Sequence, residues 1–276
     1  MRFTVPNNHF NTWITGLTVA ALSGCSTMPN TTQVQYEGAK VSVAQRVGGP
    51  PIVVFQSGLG DGMSAWSGVL QRLPPGMATF AYDRPGYGGS SSGPGKRDPC
   101  AIARELHEIL RISGSRPPYV LVGHSLGGIY QYAFAKLYPS EVSAILLLDA
   151  THPEHWENMQ RRTPNTAAVV QGLRAVAFSD TERREFDAQA ECISDLQTKD
   201  ALPVPSRLLL RSKAEPGESA EFRAMSSELA SRWPELLPGM STYRVKGAGH
   251  YIQKDRPELV ATEIGLLVAA ARATKR

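Results

Sequence analysis

Tyr119-Val120-Leu121-Val122-Gly123-His124-Ser125-Leu126-Gly127-Gly128 decides how the rest of the chain is read. A short apolar, β-branched run stops at a glycine, turns at one serine, and resumes as an amphipathic segment reaching Tyr138. Strand, sharp turn and helix are the setting that a G-x-S-x-G nucleophile elbow requires. Such a turn strains the backbone at the serine and lifts its hydroxyl above the sheet at a helix N-terminus. Gly123 and Gly127 leave room where any Cβ would strike a neighbouring strand.

Working outward, strands and helices alternate. Pro51 to Phe55 is a continuous apolar run, read as a buried central strand ending at Gln56-Ser57-Gly58-Leu59-Gly60-Asp61-Gly62. A helix from Ser64 to Leu73 is stopped by Pro74-Pro75-Gly76, and Ala78 to Tyr82 forms the next strand. That strand runs into the glycine-rich turn Asp83-Arg84-Pro85-Gly86-Tyr87-Gly88-Gly89-Ser90. Pro99 to Ile112 carries Ile102, Leu106, Ile109 and Leu110 at helical spacing, with Gly114 as its stop signal. After the elbow, Ala144 to Leu148 is another buried strand, ending at Asp149. Val41 to Val47 alternates as an edge strand would. This alternation predicts an α/β fold: a mostly parallel sheet covered on both faces by helices. Thr151 to about Ala201 breaks the rhythm as several short, charge-rich helices, read as a small helical cap. Arg207 to Leu210, a helix from Glu218 to Trp233, a strand from Ser241 to Val245 and a helix from Pro257 to Ala273 then restore it.

Of the 276 residues, 42% are hydrophobic and 20% charged, as in an ordinary globular protein. The net charge of +4 is small, and the pairs Arg161-Arg162 and Arg183-Arg184 fit solvated helix faces better than a nucleic-acid footprint. There is no H-E-x-x-H and no phosphate loop, and Gly86-Tyr87-Gly88-Gly89 lacks the third-glycine spacing of a dinucleotide fingerprint. The expectation is therefore neither a metal nor a cofactor.

Trp13 to Leu22 is apolar but too short to span a membrane. It ends in Leu22-Ser23-Gly24-Cys25, which resembles the lipobox of bacterial lipoproteins. That resemblance implies a signal peptide over residues 1–24, lipidation of Cys25 and the membrane as a partner through the lipid. Ser26 resembles the residue found in lipoproteins sent to the outer membrane, which implies a lipid-anchored envelope protein on its periplasmic face. Residues 25–38 then read as a tether and 39–276 as the folded domain. In an oxidising envelope the two remaining cysteines, Cys100 and Cys192, are candidates for a disulfide or for two separate buried thiols.

A serine hydroxyl attacks a carbonyl at neutral pH only if a base takes its proton. Downstream of Ser125 stand His152, His155 and His250, and only His250 lies after the last strand and before the last helix, in Gly249-His250-Tyr251. His250 is the expected base. A tetrahedral intermediate also needs backbone N–H donors. Leu126, following the nucleophile, supplies one; the loop Ser57-Gly58-Leu59-Gly60 supplies the other, with Leu59 favoured over Gly58.

From about Pro51 to Leu267 the chain resembles an α/β-hydrolase-fold serine hydrolase. The resemblance rests on the Gly-Leu-Gly loop, Asp83-Arg84-Pro85-Gly86-Tyr87-Gly88, Gly123-His124-Ser125-Leu126-Gly127-Gly128, Leu148-Asp149 and Gly249-His250. Gln56-Ser57 departs from it, because many relatives carry a histidine before the oxyanion glycine. The resemblance implies a carboxylate behind His250, with two candidates left open. Asp149 ends the strand after the elbow helix; Glu215 sits with Pro216 near the family's commoner acid position. It further implies hydrolysis of a small-molecule ester or similar acyl substrate through an acyl-enzyme, with the cap choosing the acyl or alcohol group and favouring small to medium ones. Amide cleavage, lactone opening and acyl transfer would use the same residues. A non-catalytic lipoprotein that keeps the fold as a binding module is the rival from another class. Oligomeric state is left open.

Overall fold

The computed structural model describes residues 31–273, so the signal peptide expected over residues 1–24 and the lipidation expected at Cys25 lie outside the described residues. The strands are β1 (Thr31–Tyr36), β2 (Ala39–Arg46), β3 (Gly49–Gln56), β4 (Met77–Tyr82), β5 (Tyr119–His124), β6 (Val142–Leu148), β7 (Ser206–Arg211) and β8 (Ser241–Val245). They form one sheet in the order β1-β2-β4-β3-β5-β6-β7-β8. β2 is antiparallel to both its neighbours, and every other pairing is parallel.

At the edge of the sheet two findings depart from what the sequence suggested. Residues 31–36, expected in the tether, pair with β2 as the outer strand. β2, expected at the edge, is consequently an interior strand with four consecutive buried residues from Val41 to Ala44. Thr31–Tyr36 is too polar to announce itself by periodicity; backbone pairing holds it there.

The helices are α1 (Ser67–Leu70), α2 (Pro99–Ile112), α3 (Leu126–Leu137), α4 (His155–Arg162), α5 (Pro164–Val176), α6 (Asp180–Asp187), α7 (Ile193–Gln197), α8 (Ala220–Ser231), α9 (Trp233–Leu236), α10 (Ile252–Asp255) and α11 (Pro257–Ala273). The helix expected from Ser64 to Leu73 is a 3-10 turn, Met63–Trp66, followed by the single turn α1. α2 has the bounds expected and Ile102, Leu106 and Ile109 form its buried stripe; Asp98 caps it by accepting from the Ala101 N–H, and Pro99 opens it. With α3 it covers one face of the sheet in a core that includes Leu121, Ile145 and Leu208. α11 and the turn around Trp66 cover the other, through Ile264, Leu267 and Val120. α3 is not the amphipathic helix its sequence suggested. It lies between sheet, α2 and cap, and only Leu137 of its twelve residues escapes burial.

The cap, α4 to α7, is inserted between β6 and β7, and a small core of Met159, Ala167, Met225 and Leu229 joins α4 and α5 to α8. A disulfide between Cys100 and Cys192 ties the segment between α6 and α7 to the start of α2. No helix among the described residues is long and apolar enough to cross a membrane.

Candidate active site

The carboxyl ends of β3, β5, β6, β7 and β8 all open on one side, where side chains from separate loops converge, as parallel α/β sheets dictate. Ser125 sits between β5 and α3 with φ +53° and ψ −124°. A non-glycine residue there carries about 1–3 kcal/mol of strain, which neighbouring contacts must offset. The Ser125 amide donates to Leu148 O (3.1 Å), and its carbonyl accepts from Gly128 and Thr151 (3.0 and 3.1 Å). Close packing supplies the rest. A methyl on Gly127 would lie 2.3 Å from Gln56 O, and one on Gly123 2.7 Å from Gly127 O. Although Ser125 occupies the N-cap position of α3, its side chain makes no capping bond, so the hydroxyl is not spent on the helix.

His250 follows β8. Its Nδ1 lies 2.7 Å from Asp149 Oδ2. Burial pushes the Asp149 carboxyl upward, but the hydrogen bond and charge of His250, with Arg211 behind them, outweigh it and hold the group below the usual carboxylate range. A carboxylate only accepts, so Nδ1 carries the proton and Nε2 is left as the basic nitrogen. Asp149 is itself set by backbone: φ is +40°, its N–H donates to Leu209 O at 2.8 Å, and Oδ1 accepts from the Arg211 N–H at 3.2 Å. The Arg211 guanidinium stands 3.3 Å from Oδ2.

Glu215, the other candidate acid, does not meet the imidazole. Its Oε1 accepts from the His250 backbone N–H at 2.8 Å, with its side chain 45% exposed. The geometry thus separates the two carboxylates: Asp149 orients the ring, and Glu215 holds the loop.

His124 was not singled out by the sequence reading. Its buried ring lies between the turn at Ser125 and the loop that carries His250, with Nε2 3.0 Å from His250 O and ring centroids 4.7 Å apart. Burial, joined by the charge of His250, pushes His124 down to about 3, so the ring is neutral and donates from Nε2 to that carbonyl. The only available signal was its position next to Ser125 at the end of a wholly buried strand. His250 is therefore held at its backbone N–H by Glu215, at its carbonyl by His124 and the Ile252 N–H, and at its Nδ1 by Asp149.

Ser125, Asp149 and His250 line one cavity of about 410 Å³, walled by His152 and His155 from the cap side and by Phe222, Ser226 and Leu229 of α8. Among the described residues no hydrogen bond joins Ser125 Oγ to His250. Leu59 and Leu126 are not on the cavity lining, but the loop carrying Leu59 abuts Ser125. A methyl on Gly58 would stand 3.1 Å from Ser125 Cβ and 3.3 Å from His124 Nδ1. Among the described residues neither the Leu59 nor the Leu126 N–H has an acceptor within the protein.

A family model for the alpha/beta hydrolase fold matches residues 51–195, just over half of the 276 residues. The chain belongs to the α/β hydrolase fold family. YbdG of Bacillus subtilis strain 168, itself uncharacterized, is 32% identical over 127 residues, covering 45% of this chain and 39% of YbdG. Across the first curated relatives the match spans 23 to 39% of their own lengths. Among solved structures, a membrane phospholipase A described as a bacterial virulence factor has a TM-score of 0.66 at 20% identity, covering 88% of this chain and 86% of that one. Est816, described as an N-acyl homoserine lactone degrading enzyme, has a TM-score of 0.60 at 17% identity, covering 85% and 99%. At these identities the likeness is one of fold.

Proposed function

We propose that this protein is a serine hydrolase that cleaves a carboxylic ester or a similar acyl bond. The observation that carries the reading is the Asp149–His250 hydrogen bond of 2.7 Å, facing a cavity that also contains a backbone-strained Ser125. Ser125 Oγ attacks the carbonyl carbon as His250 Nε2 takes its proton, and Asp149 stabilises the imidazolium. The amides of Leu126 and Leu59 hold the oxyanion. The alcohol leaves with the proton from His250, and an acyl-serine remains. Water, deprotonated by the same nitrogen, then releases the carboxylic acid and restores Ser125. The absent Ser125–His250 hydrogen bond is consistent with a contact that tightens on substrate binding.

A cavity of about 410 Å³ supports small to medium substrates. Amidase, lactonase or acyltransferase chemistry would use the same residues. The cellular address belongs to the same proposal: an envelope lipoprotein, anchored through Cys25 on the periplasmic face of the outer membrane. Turnover of p-nitrophenyl esters of rising chain length tests the reading. Short and medium esters are expected to be hydrolysed best by the native protein and not at all by Ser125→Ala. Equal turnover by both proteins would refute it.

A further inference from the structure

The most heavily buried charges lie outside the cavity, beneath the cap. Arg84, from the turn after β4, is 1% exposed, and Glu185, from α6, is 0% exposed. Glu185 accepts from Arg84 Nε and Nη2 at 3.1 and 3.0 Å, from Arg97 Nη2 at 2.6 Å and from the Tyr87 hydroxyl at 2.8 Å. Charges buried this deeply are tolerated only when paired and hydrogen-bonded on all sides. Arg84 has donors left over, and they go to the candidate oxyanion loop: Nη1 donates to Ser57 O at 2.6 Å and Nη2 to Gly58 O at 2.8 Å.

The two carbonyls caught by Arg84 belong to the peptide units that contain the Gly58 and Leu59 N–H groups. In a trans peptide the C=O and N–H point in opposite directions. Holding both carbonyls on the guanidinium side therefore turns both N–H groups away from it. Gly58 packs against Ser125, so this orientation governs which face of the loop the nucleophile meets. The cap presses on the same place: a methyl on Gly60 would lie 2.8 Å from Glu182 Oε1, and one on Gly86 2.2 Å from Thr181 Oγ1. α6 is thus seated on the oxyanion loop and on the turn that bears Arg84.

We propose that Arg84, held in place by Glu185 of the cap, is a positioning residue that orients the Gly58 and Leu59 peptides as an oxyanion hole. The proposal rests on the serine hydrolase reading and adds to the cap a role other than substrate choice. Lysine cannot replace the planar fork that bridges two carbonyls and a carboxylate, so Arg84→Lys keeps the charge and loses the geometry.

The test uses the full chain and the p-nitrophenyl ester that the native protein turns over fastest, with a trifluoromethyl ketone of matching acyl chain as oxyanion-forming inhibitor. Arg84→Lys is expected to lower kcat by about 10- to 100-fold with KM within about twofold, and to weaken the ketone by the same factor as kcat. Glu185→Gln is expected to move both in the same direction, and it carries the test if Arg84→Lys does not fold. Glu105→Gln alters the far end of the buried cluster, where Glu105 pairs with Arg97 at 2.7 Å and touches neither Arg84 nor the loop. It is expected to change melting temperature but not kcat. A folded Arg84→Lys or Glu185→Gln with native kcat would overturn the proposal, as would an equal loss in Glu105→Gln. A native protein without acyl hydrolase activity would instead defeat the underlying reading, and the proposal with it.

Discussion

Two loops flank Ser125, and they are secured in opposite ways. The loop after β3 is gripped from below by Arg84, which Glu185 holds in turn, both sealed from water. The loop after β8 is held partly at the surface: Glu215 and Asp255 accept from the His250 and Gly249 amides at 2.8 and 2.7 Å. From inside, His124 and Asp149 tie His250, and the buried Ala248 carbonyl accepts from the Ser212 and Lys213 amides. The difference separates rigidity from access. A donor aimed at a transient oxyanion benefits from a fixed peptide, whereas a base that must reach both a serine and a water benefits from a loop with some freedom. Mutations that break buried ties should cost stability and rate together, and those at exposed ties should be mild.

Among the ties to these loops, the largest effect on rate is expected from Asp149→Asn, which removes the acceptor for His250 Nδ1–H and favours the wrong tautomer. kcat for a p-nitrophenyl ester should fall by about 10³- to 10⁴-fold, as at comparable triads. On stability, Glu185→Ala should cost about 3–5 kcal/mol by leaving Arg84 buried without a carboxylate and Arg97 with Glu105 alone, read from urea melts. Replacing Cys100 and Cys192 by serine removes a cross-link spanning a sequence separation of 92 and should cost about 2–4 kcal/mol. If the cap holds the oxyanion loop, that variant should also lose kcat.

Among the ties to these loops, Glu215→Gln should be the mildest, lowering kcat by less than about tenfold, because Oε1 can still accept from the His250 amide. A loss as large as that in Asp149→Asn would reverse the roles assigned to the two carboxylates.

The pH dependence of unfolding gives a smaller, separate effect. Burial pushes His124 down to about 3, and His152 and His155 down to about 4, from an ordinary 6.5. Below pH 6.5 the unfolded chain takes up protons on these rings and the folded protein does not, so the stability they contribute is full above that pH and falls from 6.5 toward 4 for His152 and His155 and toward 3 for His124. His124→Gln should flatten this slope in melts followed by circular dichroism; an unchanged slope would show that His124 does not carry its share.

Much of this was legible in the sequence because it is local. The elbow, the α2 stripe from Pro99 to Ile112 with Gly114 beyond it, the strand ending at Asp149 and the histidine after β8 each sit within a few residues of their own signals. What could not be read depends on distant partners. Arg84 looked like one residue of a glycine turn, and its partner Glu185 lies 101 residues away among many charges in the cap. The choice between Asp149 and Glu215 also needed three dimensions: both approach His250, one at the ring and the other at the backbone. α3 looked amphipathic because its glycines, tyrosines and Gln131 read as polar, yet Gln131 is fully buried and donates to Val54 O at 3.0 Å.

Intact-mass analysis after treatment with a fluorophosphonate probe addresses Ser125 most directly. The native protein should gain one probe adduct, with no adduct on folded Ser125→Ala and slow labelling of Asp149→Asn. An unlabelled native protein, or equal labelling of Ser125→Ala, would contradict an activated nucleophile at the elbow.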